Sequence, residues 1–166
     1  MKRLAACALL ALLFGLLGLA PAGATPDEDA RLTAFFKEYL EDLFRQRPLD
    51  ATRLGDHRFD DRLDDLSPAA RAAWTERDRR ALADLPKRVA YKKLSRPGQI
   101  DYEIFRHNLQ ANLWLAENTH PFEEDPRVYN DYISDSVYLL LTQSTEPKAV
   151  NVRNAVARMA AIPRVV

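Results

Sequence analysis

The sequence predicts an all-α fold, and three observations carry that prediction. Apolar residues recur at three- and four-residue steps through most of the chain. Hydroxyl residues stand just ahead of prolines at Thr25-Pro26, at Ser67-Pro68, and at Ser95 with Pro97, which is a cap-then-Pro signature of helix starts. No stretch alternates with the period of two that a half-buried strand requires, and there is no internal repeat. The expectation is about five main helices in an irregular bundle. The chain has 166 residues, a one-domain length, and 47% of them are hydrophobic with only 5 Gly, which is not a disordered composition.

The first 24 residues read as a cleavable secretion signal. Lys2 and Arg3 precede an apolar run from Leu4 to Leu19, and Ala22-Gly23-Ala24 offers a small-residue cleavage site after Ala24. A membrane anchor is the other reading, but the run is shorter than the ~20 residues of a span. Cys7, the sole cysteine, lies inside that run. Cleavage would leave about 140 residues without a disulfide, a size that packing alone can hold. The expected location is periplasmic or secreted, with no membrane attachment after cleavage. The full chain carries 24 basic and 24 acidic residues with no basic stripe, so nucleic acid is not an expected partner.

From Pro26 to about Gln46, Leu32, Phe35, Phe36, Tyr39, Leu40, Leu43 and Phe44 form one aromatic-rich face, so a first helix is expected there. A short helical turn from Leu49 to Leu54 should stop at Gly55. A second helix opens at Ser67-Pro68 and should end at Leu85, because Pro86 lacks an N–H and its ring opposes the preceding turn. Its stripe is thin, and the charges from Glu76 to Arg80 read as a solvated face. Lys87 to Leu94 reads as a short helical continuation. Pro97 to Glu117 reads as a third main helix facing inward through Ile100, Ile104, Phe105, Leu109 and Leu115. Asn108 and Asn112 beside that stripe would need partners if buried.

Asn118 to Pro126 reads as loop. A fourth helix from about Pro126 to Thr142 is apolar far round its circumference, from Val128 and Tyr129 to Leu140 and Leu141. A last helix is expected from a Ser144 or Thr145 cap to Ala161, with Val152, Ala155, Val156, Met159 and Ala160 turned inward.

The stretch from Pro48 to Leu66 has little periodicity and the densest chemistry. Gly55 supplies a reversal, and Asp56, His57, Arg58, Asp60, Asp61, Arg62, Asp64 and Asp65 follow among few apolar anchors. One reading is a self-satisfying loop in which Asp56 and Asp60 cap backbone N–H groups and Arg58 and Arg62 pair with them. The other gives Asp56, His57 and Arg58 a place in a substrate or partner site. The remaining histidines, His107 and His120, are not at ligand spacing from His57 or each other, and read as structural. There is no phosphate-binding glycine loop and no nucleophile elbow.

Three runs resemble a known family. They are Pro48, Ala51, Thr52, Gly55, Asp56, His57, Arg58, Asp60, Arg62 and Leu63; then Leu94, Ser95, Ile100, Asp101 and Tyr102; then Tyr129 to Leu141 with Ala161, Ile162 and Pro163. In order and spacing they resemble the front part of the bacterial domain-of-unknown-function family eight-eight-five, mostly secreted helical proteins that look like zinc metallopeptidases. The resemblance implies a long helical body around a cleft for peptide-like substrates. It also implies a zinc site on a His-Glu-x-x-Pro-Gly-His-His-like helix far downstream, which nothing in this sequence matches. Zinc is thus implied for the longer relatives and no cofactor for this chain.

On this reading the chain is scaffold and one wall of the cleft, not catalytic by itself. Its 25–166 domain would be incomplete at the C-terminal end, where Val165 and Val166 follow Pro163. The alternative is a complete, stand-alone periplasmic helical bundle that binds a partner.

Overall fold

A computed structural model describes residues 26–165, and the proposed leader with its cleavage site lies outside them. Seven α-helices make up the described chain: α1 (Pro26–Gln46), α2 (Pro48–Arg53), α3 (Pro68–Arg88), α4 (Arg96–Asn118), α5 (Pro121–Glu124), α6 (Arg127–Thr142) and α7 (Lys148–Ala161). Short 3-10 turns add His57–Phe59, Tyr91–Lys93 and Ile162–Arg164. There is no strand among the described residues, and no described helix is long and apolar enough to cross a membrane. The all-α architecture, with five helices of substantial length, is as the sequence predicts.

Two cores hold the helices together. The first joins α1, α3 and α4 through Leu32, Phe35, Leu85, Val89, Leu94, Tyr102 and Leu109. Phe105 fits its ring among Phe35, Phe36 and Tyr39 of α1, with centroids 4.9–6.1 Å away. Edge-to-face and tilted pairs of this kind add to what area burial alone contributes. The second core joins α2 to α6 through Leu49, Leu66, Tyr132 and Leu139, with Trp74, Phe122 and Val165 packed against it.

Helix starts obey the local chemistry. Ser67 Oγ accepts from the N–H of Ala70 at 3.3 Å, and Ser95 Oγ accepts from that of Gly98 at 3.2 Å. Beyond these caps the structure departs from the sequence reading in several places. Helix α3 runs through Pro86 to Arg88, because Leu85 and Val89 are both sunk in the first core and hold the chain on a helical path. Its charged turn is not wholly solvated either. Arg77 and Asp78 are buried, where Asp78 accepts from Arg77, from the Tyr39 hydroxyl and from Asn112. The loop after α4 contains the one-turn helix α5.

Another correction concerns α7. It starts at Lys148 behind Pro147, and Ser144 bonds to Asn151 rather than capping in the ordinary way. Its inward face is Asn151, Asn154, Ala155 and Arg158, while Val152, Val156 and Met159 are exposed. Helix α4 turns inward through Tyr102 and Leu109, whereas Ile100, Ile104 and Leu115, expected on its inward side, are exposed, as are Trp114 and, on α6, Tyr138 and Leu141.

Candidate functional site

The stretch between α2 and α3 folds back on itself because of one glycine. Gly55 has φ +83°, a left-handed conformation that closes α2 and sends the chain into the Asp56–Asp60 turn. Asp56 then starts the 3-10 turn, its carboxylate accepting from the N–H of Arg58 at 3.1 Å. The Arg58 guanidinium returns to the same carboxylate at 2.6–3.0 Å and also spans to Glu41 of α1 at 2.7 Å. These bonds hold the carboxyls of Asp56 and Glu41 below the usual range. Arg58 thus pairs with two carboxylates, a clamp between loop and α1.

Asp60 takes a different part from the N–H cap expected of it. It is buried and accepts from the Thr52 hydroxyl at 2.6 Å, while its other oxygen faces His57 Nδ1 at 2.8 Å. A carboxylate only accepts, so Nδ1 carries the hydrogen. His57 Nε2 has no partner among the described residues and is not among the buried unsatisfied atoms, so it is left to the solvent side. Behind Asp60 stands Arg158 of α7, wholly buried. It donates to Thr52 Oγ1 at 2.6 Å and to the Ser136 carbonyl at 2.8 Å, and lies 3.8 Å from Asp60. Burial pulls the Arg158 guanidinium below its ordinary value, against the pull of Asp60. Arg62, by contrast, turns outward to Asp61 at 3.6 Å.

The loop so held faces the start of α7 across a groove of about 600 Å³. Leu54, Gly55, Asp56, His57 and Arg58 line one side, and Glu146, Val150 and Asn154 line the other. Asp56, His57 and Arg58 are therefore brought together at one groove wall. The facing residues escaped the sequence reading. Val150, Asn154 and Arg158 recur every fourth residue along α7, a helical stripe hidden by its polar composition, and Glu146 stands just ahead of the helix.

A second cleft of about 520 Å³ lies between α3 and the α4–α5 corner, lined by Trp74, Phe122 and three arginines among others. Each of those arginines is engaged: Arg47 with Asp50, Arg71 with Glu123, Arg77 with Asp78. His120 lies at its rim, and His107 is exposed on α4, far in sequence from the loop. Among the described residues, no group of three or more His, Cys, Asp or Glu is placed to hold a metal ion.

Residues 48–166 match the model of a family described as bacterial protein of unknown function, DUF885. The match starts at the first residue of α2 and takes in the loop, both walls of the groove and α3 to α7. The chain belongs to DUF885. No curated protein and no solved structure matches it. Within this DUF885 chain, the network from His57 through Asp60 and Thr52 to Arg158 falls entirely inside the matched segment, whereas Glu41, which anchors Arg58, falls outside it.

Proposed function

We propose that this chain is a helical scaffold presenting one wall of a groove for a peptide-like ligand, in a secreted protein of the zinc metallopeptidase-like kind that the sequence resemblance implies. The observation that carries the reading is the groove itself. The three residues singled out from sequence meet α7 across it, and the imidazole among them is oriented from behind by a buried carboxylate. Groups held this way lose little freedom when a ligand arrives, so they favour binding in one geometry.

The donor set does not fit zinc. His57 has Nε2 free, but among the described residues no group of three or more His, Cys, Asp or Glu is placed to complete a metal shell around it. Binding and orientation, rather than bond cleavage, are therefore the tasks assigned to these residues. The test is a titration of the isotopically labelled chain with a short unstructured peptide, followed by amide chemical shifts. Changes confined to Gly55–Arg58 and to the first turns of α7 are expected. A response spread over α3 and α4, or none at millimolar peptide, would sink the reading.

A further inference from the structure

We infer that the groove takes the amino-terminal end of its ligand, with the Glu146 carboxylate receiving the α-ammonium and the Asn154 side chain receiving a peptide unit. The inference rests on the peptide-groove reading and adds a direction and a charge to it. Three observations lead there. The first is Asn154, whose residue is only 8% exposed, which lines the groove, and whose side-chain amide has no hydrogen-bond partner among the described residues. An amide offers one acceptor and two donors, and this one is not among the buried unsatisfied atoms, so it opens on the groove with its functions free for a ligand. A peptide bond, with its own C=O and N–H, fits both functions at once.

The second observation is the charge that remains in the groove. The Arg58 charge is already balanced by the two carboxylates of Asp56 and Glu41, so it offers no net positive charge to a ligand carboxylate. The Glu146 carboxylate, in contrast, has no cation or donor among the described residues. The groove therefore favours a positive group over a negative one, at the α7 end.

The third is how firmly Glu146 is set. Its C=O accepts from Asn151 Nδ2 at 3.0 Å, and its N–H donates to Ser144 Oγ at 3.2 Å. Ser144 donates in turn to Asn151 Oδ1 at 2.9 Å. The backbone that carries the carboxylate is thus held on both sides, by Ser144 and by Asn151, while the carboxylate itself is uncommitted.

The experiment compares trialanine amide with its N-acetylated form by calorimetric titration of the full chain. The free amine is expected to bind at least tenfold tighter, and Glu146→Gln to abolish that difference while leaving the acetylated peptide unaffected. Asn154→Ala should weaken both. Equal binding of the two peptides by the unsubstituted protein overturns the inference and leaves the groove as a peptide site. Binding of neither overturns the peptide-groove reading and the inference with it. The acetylated ligand on the unsubstituted chain makes the comparison independent of how any variant folds.

Discussion

The Arg158 guanidinium donates to the Thr52 hydroxyl at 2.6 Å across 106 residues of sequence, deep inside the protein. That bond ties α7 to the end of α2, just ahead of the site-bearing loop, and through Thr52 it reaches Asp60 and His57. Removing one member of a buried charged set strands the others. Arg158→Ala is therefore expected to destabilise the fold by ~3–5 kcal/mol, measured by urea denaturation. Arg158→Met combined with Asp60→Asn removes the charge from both sides and should recover much of that loss. If the single substitution is silent, the network does not hold the loop.

Asp64 makes stability pH-dependent. Its carboxyl accepts from the N–H of Leu49 at 2.9 Å, and burial pushes its pKa up to about 6, against the pull of that N–H and of Arg47. A folded-state value above the unfolded one means the group stabilises the fold while protonated. That contribution is complete below the ordinary carboxylate range and is lost as pH rises through about 6. Its span is on the order of 3 kcal/mol. Urea titrations at pH 4 and pH 7.5 should show this loss in the parent protein. Asp64→Asn keeps an acceptor for Leu49 and should flatten the difference; an unchanged pH profile would refute it.

How far the sequence reached depends on where each residue finds its partner. Helices α1, α3 and α4 were legible as helices because their caps and periodicity are local, and Ser67 and Ser95 cap as their positions imply, although Ile100, Ile104 and Leu115 of α4 turn outward. The loop was legible as a site candidate because Gly55, Asp56 and Arg58 satisfy one another within a few residues. The inward face of α7 was not. Hydrophobic periodicity assigns Asn154 and Arg158 to solvent and Val152 and Val156 to the core, and the structure reverses both. Arg158 is buried because Thr52, Asp60 and the Ser136 carbonyl surround it, and none of them is near it in sequence. Glu146 escaped for the same reason, since only folding brings it opposite His57.

The two described glycines with a stated role should respond differently to alanine. At Gly55 a Cβ meets nothing within 4 Å, so Gly55→Ala bears only the left-handed backbone, ~1–2 kcal/mol. At Gly98 a Cβ would come 2.5 Å from Asp29 Oδ1, which accepts from the N–H of Ser95. Gly98→Ala should therefore displace that bond and shift the amide signal of Ser95, whereas Gly55→Ala should not. Thermal melts with amide spectra separate the two. Equal perturbation of Ser95 by both would contradict the geometry.

Asn151 couples the fold of α7 to the groove. It is buried, donates to the Glu146 carbonyl and accepts from Ser144. Asn151→Ala cuts both arms and leaves a carbonyl and a hydroxyl to find water, so a loss of ~1–3 kcal/mol is expected. Asn151→Asp keeps the acceptor for Ser144, but it sets a buried carboxylate that cannot donate against the Glu146 carbonyl. The aspartate variant should thus cost at least as much as alanine in denaturation and match it in weakening trialanine amide, because both free the backbone that sets the Glu146 carboxylate. Should the aspartate variant bind the free-amine peptide as tightly as the parent, the position of Glu146 does not depend on Asn151.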